Sequence, residues 1–253
     1  RNIMLYGTLL LVAVYYAIPL YVMIVTSLKG LPEIRMGNIF SPPMEVTFEP
    51  WAKAWGSACT GLNCEGLSAY FWNSVKITVP GIIVSIAVAS VNGYALANWR
   101  FKGSEFFFTV LLFGAFIPYQ VMLYPLVIIL RELHMFSTLP GIVLVHTIFG
   151  MPILTLLFRN YFASLPEELF KAARVDGAGF WQIFFRIMLP MSLPIFVVGM
   201  IIQTTGIWND FLFGVIFAGQ QNYPMTVQLN NIVNAVQGVK EYNVNMAATL
   251  LTG

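Results

Sequence analysis

The stretch Ser164-Leu-Pro-Glu-Glu-Leu-Phe-Lys-Ala-Ala-Arg-Val-Asp-Gly-Ala-Gly-Phe-Trp-Gln-Ile-Phe-Phe-Arg-Ile-Met-Leu-Pro190 is a polar interruption between two long apolar runs. At about 27 residues it is too long for a simple connector. Ser164 followed by Glu167 has the spacing of a capping box, with Pro166 in the first turn. Glu167 and Glu168 fall where the helix dipole favours negative charge, and Lys171 and Arg174 nearer the end that favours positive charge. Gly177 supplies a left-handed stop. The spacing predicts a helix over 165–176 whose small residues Ala172 and Ala173 can enter a groove on another protein. A second helix is expected over 180–188, lying along a membrane surface with Phe180, Trp181, Phe184 and Phe185 buried, before Pro190 restarts the chain as a span.

The flanking runs set the class of fold. The chain is 58% hydrophobic and only 9% charged, against about 25% charged in soluble domains. Its mean hydropathy is +0.76. A soluble fold cannot cover itself with so little charge, so lipid must be the main solvent and the fold all-α, a polytopic bundle of transmembrane helices. A span needs roughly 20 apolar residues, and five complete runs qualify, at about 3–28, 77–97, 106–130, 139–158 and 191–218. A sixth starts near Asn245 and is cut off at Gly253; with Arg1 rather than Met in front, both ends read as trimmed. The first run lacks the small-residue cleavage site of a signal peptide. Pro19, Pro80, Pro118, Pro125, Pro152 and Pro194 lie in or beside the runs; simple kinks or broken helices lining a pathway both accommodate them. Gly81, Ser85, Ala89, Gly93 and Ala97 form a stripe of small residues at every fourth position. Such a stripe lets helix backbones approach closely, so this run belongs inside the bundle.

Charge gives an orientation. With the N-terminus cytoplasmic, Arg1, Arg100, Lys102, Arg159, Lys171, Arg174 and Arg186 are inside, and Lys29, Arg35, Lys53, Lys76, Arg131 and Lys240 outside. The outer segments are about twice as long, so positive density favours this arrangement. It makes 164–190 a cytoplasmic loop and 29–73 and 220–245 external loops. Cys59 and Cys64 are then in an oxidising compartment, where either a disulfide or two free thiols is consistent with the sequence. The net charge of +2 gives no nucleic-acid footprint. His134 and His146 stand apart, and no cysteine–histidine cluster has metal-site spacing.

Residues Glu168, Ala172, Ala173, Asp176, Gly177 and Ala178, then Leu189-Pro190, resemble the EAA motif of ABC importer permeases. The likeness extends over nearly the whole chain. Gly93-Tyr-Ala-Leu-Ala-Asn, Ile117-Pro118 and Trp208-Asn-Asp-Phe-Leu are similar to the second permease of the maltose-type carbohydrate importer family. The resemblance implies a single type I importer transmembrane domain over 1–253 in a bacterial inner membrane. It implies a coupling helix, with Glu167 among its residues, docked in a cleft of an ATPase dimer. Further partners would be a second homologous permease and an extracytoplasmic sugar-binding protein. The family subunit has six spans; five are complete here. The chain itself lacks a phosphate-binding GxxxxGK[ST] loop and the HExxH and GxSxG signatures, so ATP and Mg are expected only in the partner ATPase subunits, and the chain is not expected to be an enzyme.

Pathway candidates are the polar residues within spans: Asn92, Gln120, Asn209 and Asp210, with His146 and Gln203 beside them. Asp210 is the outstanding case, because an intramembrane carboxylate is costly; a sugar-hydroxyl acceptor, a subunit contact and a structural hydrogen-bond partner are all open roles. His146 reads as a packing residue. The solute expected is a carbohydrate, of the glucose or mannose type. An importer permease for a non-sugar solute would carry the same coupling helix. An ion-driven secondary transporter would show inverted repeats and several intramembrane charges, and an intramembrane enzyme a nucleophile paired with a base.

Overall fold

The apolar runs fold as helices because lipid offers the backbone no hydrogen-bond partners, so each span must satisfy its own amides. The structure, a computed structural model, describes residues 2–60, 63–99, 101–235 and 239–253. Arg1 and Arg100, counted in the charge balance, and residues 236–238 of the 220–245 loop lie outside the described residues. Helix α1 (Asn2–Ser27) is followed by α2 (Leu31–Met36), α3 (Glu49–Gly56) and a two-residue hairpin, β1 (Cys59–Thr60) antiparallel to β2 (Asn63–Cys64). Then come α4 (Ser68–Asn98), α5 (Ser104–Phe116), α6 (Tyr119–Glu132), α7 (Leu139–Ser164) and α8 (Glu167–Val175). Next are α9 (Phe180–Ile183), a π-helical turn (Phe184–Met188), α10 (Leu189–Met191), α11 (Leu193–Trp208), α12 (Leu212–Phe217), α13 (Met225–Val233) and α14 (Tyr242–Thr252).

Among the described residues three helices, α1, α4 and α7, are long and apolar enough to cross a membrane by themselves. Two bent pairs bring the number to five if each is one span: α5 with α6, bent by 107°, and Phe180–Met191 with α11, bent by 80°. The continuous runs expected over 106–130 and 191–218 are therefore interrupted. In the first, Ile117 takes an extended conformation ahead of Pro118, as sterics before proline demand. In the second, α11 stops at Trp208 and α12 restarts at Leu212. Two helices also outrun their apolar runs. α4 begins at Ser68 rather than near 77, and α7 continues to Ser164 rather than ending near 158. The 29–73 and 220–245 segments, expected as loops, carry α2, α3, the hairpin and α13.

The chain packs as two units, residues 1–73 with 224–253, and residues 74–223. In the first unit α14 packs on α1 and α3. Lys53 is paired with Glu241 at 2.7 Å, Asn243 donates to the Lys29 carbonyl at 3.0 Å, and Cys59 and Cys64 form a disulfide. α1 itself is almost wholly uncovered.

In the second unit the small-residue stripe of α4 faces inward, with Gly81, Ser85, Ala89 and Gly93 buried. A Cβ at Gly93 would lie 2.5 Å from Phe158 Cβ and 2.7 Å from Arg159 N, so α4 and α7 meet there backbone to backbone. One core cluster gathers Tyr94, Phe158, Phe162, Ile183, Phe184 and Met188. Another gathers Ile77, Leu126, Leu130, Ile142, Val145 and Phe217.

Candidate functional site

The 164–190 segment is built from three local devices. Its entry differs from the expected capping box. Ser164 belongs to the last turn of α7, and its hydroxyl donates back to the Tyr161 carbonyl at 2.7 Å. Leu165 and Pro166 are extended, and α8 starts at Glu167 with Pro166 as N-cap and no side-chain cap. Glu167 instead pairs with Lys171 at 2.9 Å on the exposed surface, a contact worth only a few tenths of a kcal/mol.

The exit is as the sequence predicts. Gly177 has φ +81°. Its N–H donates to the Arg174 carbonyl at 3.1 Å, and the Ala178 N–H donates to the Ala173 carbonyl at 2.9 Å. These two bonds constitute a Schellman motif, in which a left-handed residue closes the helix and satisfies its last carbonyls.

The third device is an aromatic seat. Trp99, just beyond the end of α4, lies edge-on to Phe170 of α8 at 5.7 Å and tilted against Phe180 of α9 at 5.2 Å. Tyr94 is fully buried, tilted against Phe180 at 4.7 Å and Phe184 at 5.3 Å, and its hydroxyl donates to the Phe180 carbonyl at 3.3 Å. The Arg174 guanidinium sits 4.5 Å from the Trp99 ring centre, a cation–π contact. α8 is thus held by Trp99 at the end of α4, the ring that Phe180 of α9 also touches.

This seat separates the two alanines. Ala173 is buried in the chain's own core, against the expectation that both alanines are free to enter a groove. Ala172 is exposed, with Glu168, Asp176 and Gly177. Leu169 and Val175 are also exposed, Val175 by 87%, so the outer face of α8 sets Ala172 and Val175 beside the carboxylates of Glu168 and Asp176. Of the four aromatics expected to be buried in the following helix, Phe184 is buried and Phe180 half-buried, while Trp181 and Phe185 are more than half exposed. They stack on each other at 5.8 Å, which makes them an exposed pair rather than core. The 180–188 helix itself is one turn of α9 followed by the π turn.

The pathway candidates do not converge. Gln120 is exposed at the start of α6, after the bend. Asn209 is exposed and donates to the Thr205 carbonyl at 3.1 Å. Asn92 of α4 points to Met151 Sδ of α7 at 3.6 Å. Asp210 occupies the break between α11 and α12. Its carboxylate accepts from the N–H groups of Phe213 at 3.3 Å and Gly214 at 3.0 Å, capping α12. It also lies 4.0 Å from His146 Nε2, so the packing histidine of the sequence reading has a carboxylate neighbour.

A polar cluster that the sequence did not reveal links α4, α7 and α11. Buried Gln203 donates to Ser85 Oγ at 3.0 Å and to the His146 carbonyl at 3.4 Å. Ser85 Oγ is 3.4 Å from Thr147 Oγ1, which donates to the Val143 carbonyl at 2.8 Å. Ser85 was legible only as a small residue of the stripe. Among the described residues, no group of three histidines, cysteines or carboxylates is placed to hold a metal ion.

Comparison with known proteins agrees with this architecture. Residues 72–252 match the family model for the inner membrane component of binding-protein-dependent transport systems. A probable ABC transporter permease of Pyrococcus horikoshii is 35% identical over 250 residues, covering 98% of this chain and 87% of the relative. A xylose/arabinose import permease of Haloferax volcanii is 31% identical, covering 99% of this chain and 85% of the relative. A diacetylchitobiose uptake permease of Streptomyces coelicolor is 32% identical over 83% of this chain and 67% of the relative. The crystal structure of a bacterial ABC transporter involved in importing the acidic polysaccharide alginate shares the fold, with a TM-score of 0.80 at 20% identity, covering 99% of this chain and 92% of that one.

A predominantly helical chain of this fold, matched over 72–252 by that family model, is of the ABC importer permease class. This chain belongs to the family of binding-protein-dependent transport system inner membrane components. It is a permease subunit, and not itself an enzyme.

Proposed function

We propose that the chain forms part of the membrane pathway of an ATP-driven carbohydrate importer and that α8 is its coupling helix. The observation that carries this reading is the outer face of α8. Glu168, Ala172, Val175 and Asp176 are exposed on a short helix that is closed at Gly177 and seated on Trp99. A small residue flanked by carboxylates suits a cleft on another protein, and the aromatic seat ties the helix to α4.

The partners in this proposal are a cytoplasmic ATPase dimer that binds ATP and Mg, a second permease, and an extracytoplasmic binding protein. Closure of the ATPases would draw α8 with it and swing α4, and α7 packed on it, as a rigid lever, the hinge-and-rigid-body form of switching. The N-terminus is placed in the cytoplasm, with 29–73 and 220–245 outside. Residues 1–253 are taken as one importer transmembrane domain with five complete crossings, the two bent pairs each counted as one. The solute proposed is a monosaccharide of the glucose or mannose type. The likeness to a xylose/arabinose import permease along nearly the whole chain supports a small sugar.

The test is reconstitution of the co-purified complex in liposomes, followed by uptake of labelled glucose, mannose, pentoses and disaccharides with and without ATP. ATP-dependent accumulation of a hexose is the expected result. Accumulation of a disaccharide alone would overturn the monosaccharide assignment, and co-purification without any ATPase would overturn the coupling assignment.

A further inference from the structure

The segment that follows α1 carries an apolar surface of its own. Met36, Ile39, Phe40, Met44, Val46 and Phe48 are each more than half exposed. Exposed apolar patches of this kind mark interaction surfaces, and the backbone beneath this one indicates which kind.

From Phe40 to Met44 every main-chain donor is satisfied within the segment's own neighbourhood. The Phe40 N–H donates to Asn38 Oδ1 at 3.0 Å, and the Ser41 N–H to the Asn38 carbonyl at 3.2 Å. The Met44 N–H donates to Glu33 Oε1 at 2.9 Å. Pro42 and Pro43 have no N–H to satisfy. Lys29, only 2% exposed, fastens the loop to the end of α1 by donating from Nζ to the Asn38 carbonyl at 3.2 Å and to Ser41 Oγ at 3.1 Å. With these donors closed, the segment can rest at the headgroup boundary, where water still reaches its carbonyls.

Its depth is fixed by one bond. The Tyr21 hydroxyl of α1 donates to the Phe40 carbonyl at 3.0 Å. Tyr21 is six residues before Ser27, the end of α1, so the loop folds back along the helix by about 9 Å. α1 has 26 residues and is therefore about 39 Å long, against a hydrocarbon core of about 30 Å. If the overhang is shared between its ends, Phe40 lies at the boundary between acyl chains and headgroups. The patch also continues the uncovered apolar surface of α1 at Tyr21 and Ile24.

We propose that residues 36–48 are a lipid-binding wedge that seats Ile39, Phe40 and Met44 in one leaflet beside α1. Lipid is the occupant argued for because the patch continues the uncovered apolar surface of α1 at the depth that the Tyr21–Phe40 bond sets. Glu45, the one charge in the stretch, can remain in the hydrated headgroup layer. The proposal needs only that α1 crosses the membrane, and is independent of solute and coupling.

The experiment uses the assembled importer in phosphatidylcholine nanodiscs. Both native cysteines of this chain are in the disulfide, so, with the partner subunits made cysteine-free, Phe40→Cys or Ile39→Cys supplies a single free thiol for the environment-sensitive fluorophore NBD. Lipids with a nitroxide near the top of the acyl chain should quench either site about threefold more than lipids with a nitroxide at the chain end, as expected for insertion by about 5–10 Å. Aqueous iodide should quench weakly. Strong iodide quenching with no nitroxide effect would mean a solvent loop, and protection from both quenchers a protein-covered surface; either overturns the proposal.

Discussion

At the residue scale, Gly177 separates backbone conformation from packing. A Cβ added there meets nothing within 4 Å, yet φ is +81°. The cost of a side chain is therefore torsional, about 1–2 kcal/mol for most residues, and it falls on the closure of α8. Gly177→Val should keep the subunit in the membrane but reduce uptake several-fold while ATP hydrolysis by the complex persists. Gly177→Asn, which tolerates the left-handed region, should retain most uptake; equal uptake by Val and Asn variants would remove Gly177 from the coupling device. Gln203 poses a different question. Its side chain is buried among α4, α7 and α11, and Gln203→Leu would leave Ser85 with one donor fewer and the His146 carbonyl less satisfied. A loss of about 1–3 kcal/mol is expected, read as a lower melting temperature of the purified subunit complex, with little change if the cluster is only incidental.

At the scale of elements, the α4–α7 contact and the aromatic seat are the parts that the proposed coupling requires to move together. Gly93→Ala pushes a methyl group against the α7 backbone, which cannot rotate away as a side chain can. Overpacking of this kind costs about 1–3 kcal/mol, and thermal denaturation in detergent should report it. Trp99→Ala removes the ring on which Phe170, Phe180 and Arg174 rest. Uptake should fall more than assembly with the ATPase, measured by co-purification.

The three unbroken apolar helices α1, α4 and α7, the stripe and the helix stop were legible in the sequence because each depends on a local requirement: apolar length, close approach, or positive φ. The bends were not. Pro19, Pro80, Pro125 and Pro152 all lie inside helices that continue through them, whereas Pro118 ends one. The residue type is the same in every case, and neighbours decide whether the freed carbonyl is tolerated. The Ser85–Thr147–Gln203 cluster was hidden for a similar reason. Serine and threonine hydroxyls can bond their own helix, as Thr147 does to Val143, so their presence in a span does not advertise a partner. The capping box failed because α7 outran its apolar run and took Ser164 with it.

At the scale of the whole molecule, the side on which α8 faces depends on how one bent element is used. In the proposed orientation the N-terminus is inside and the segment after α1, with its Cys59–Cys64 disulfide, faces an oxidising compartment, where such bonds persist. α4 then returns to the cytoplasm. If α5 and α6, bent by 107°, together cross the membrane, the 133–138 turn is outside, and α7 brings α8 back to the cytoplasm where an ATPase can reach it. If the pair instead re-enters and leaves on the same side, that turn is inside and α8 is outside, beyond reach of ATP. A cytoplasmic coupling helix therefore requires the bent pair to be a full crossing. Glu132 and Lys171 are exposed in the structure and bracket α7. In intact spheroplasts, a membrane-impermeant maleimide should label Glu132→Cys directly and Lys171→Cys only after permeabilisation. The reverse pattern would make α5 and α6 a re-entrant hairpin and remove α8 from the ATPase side.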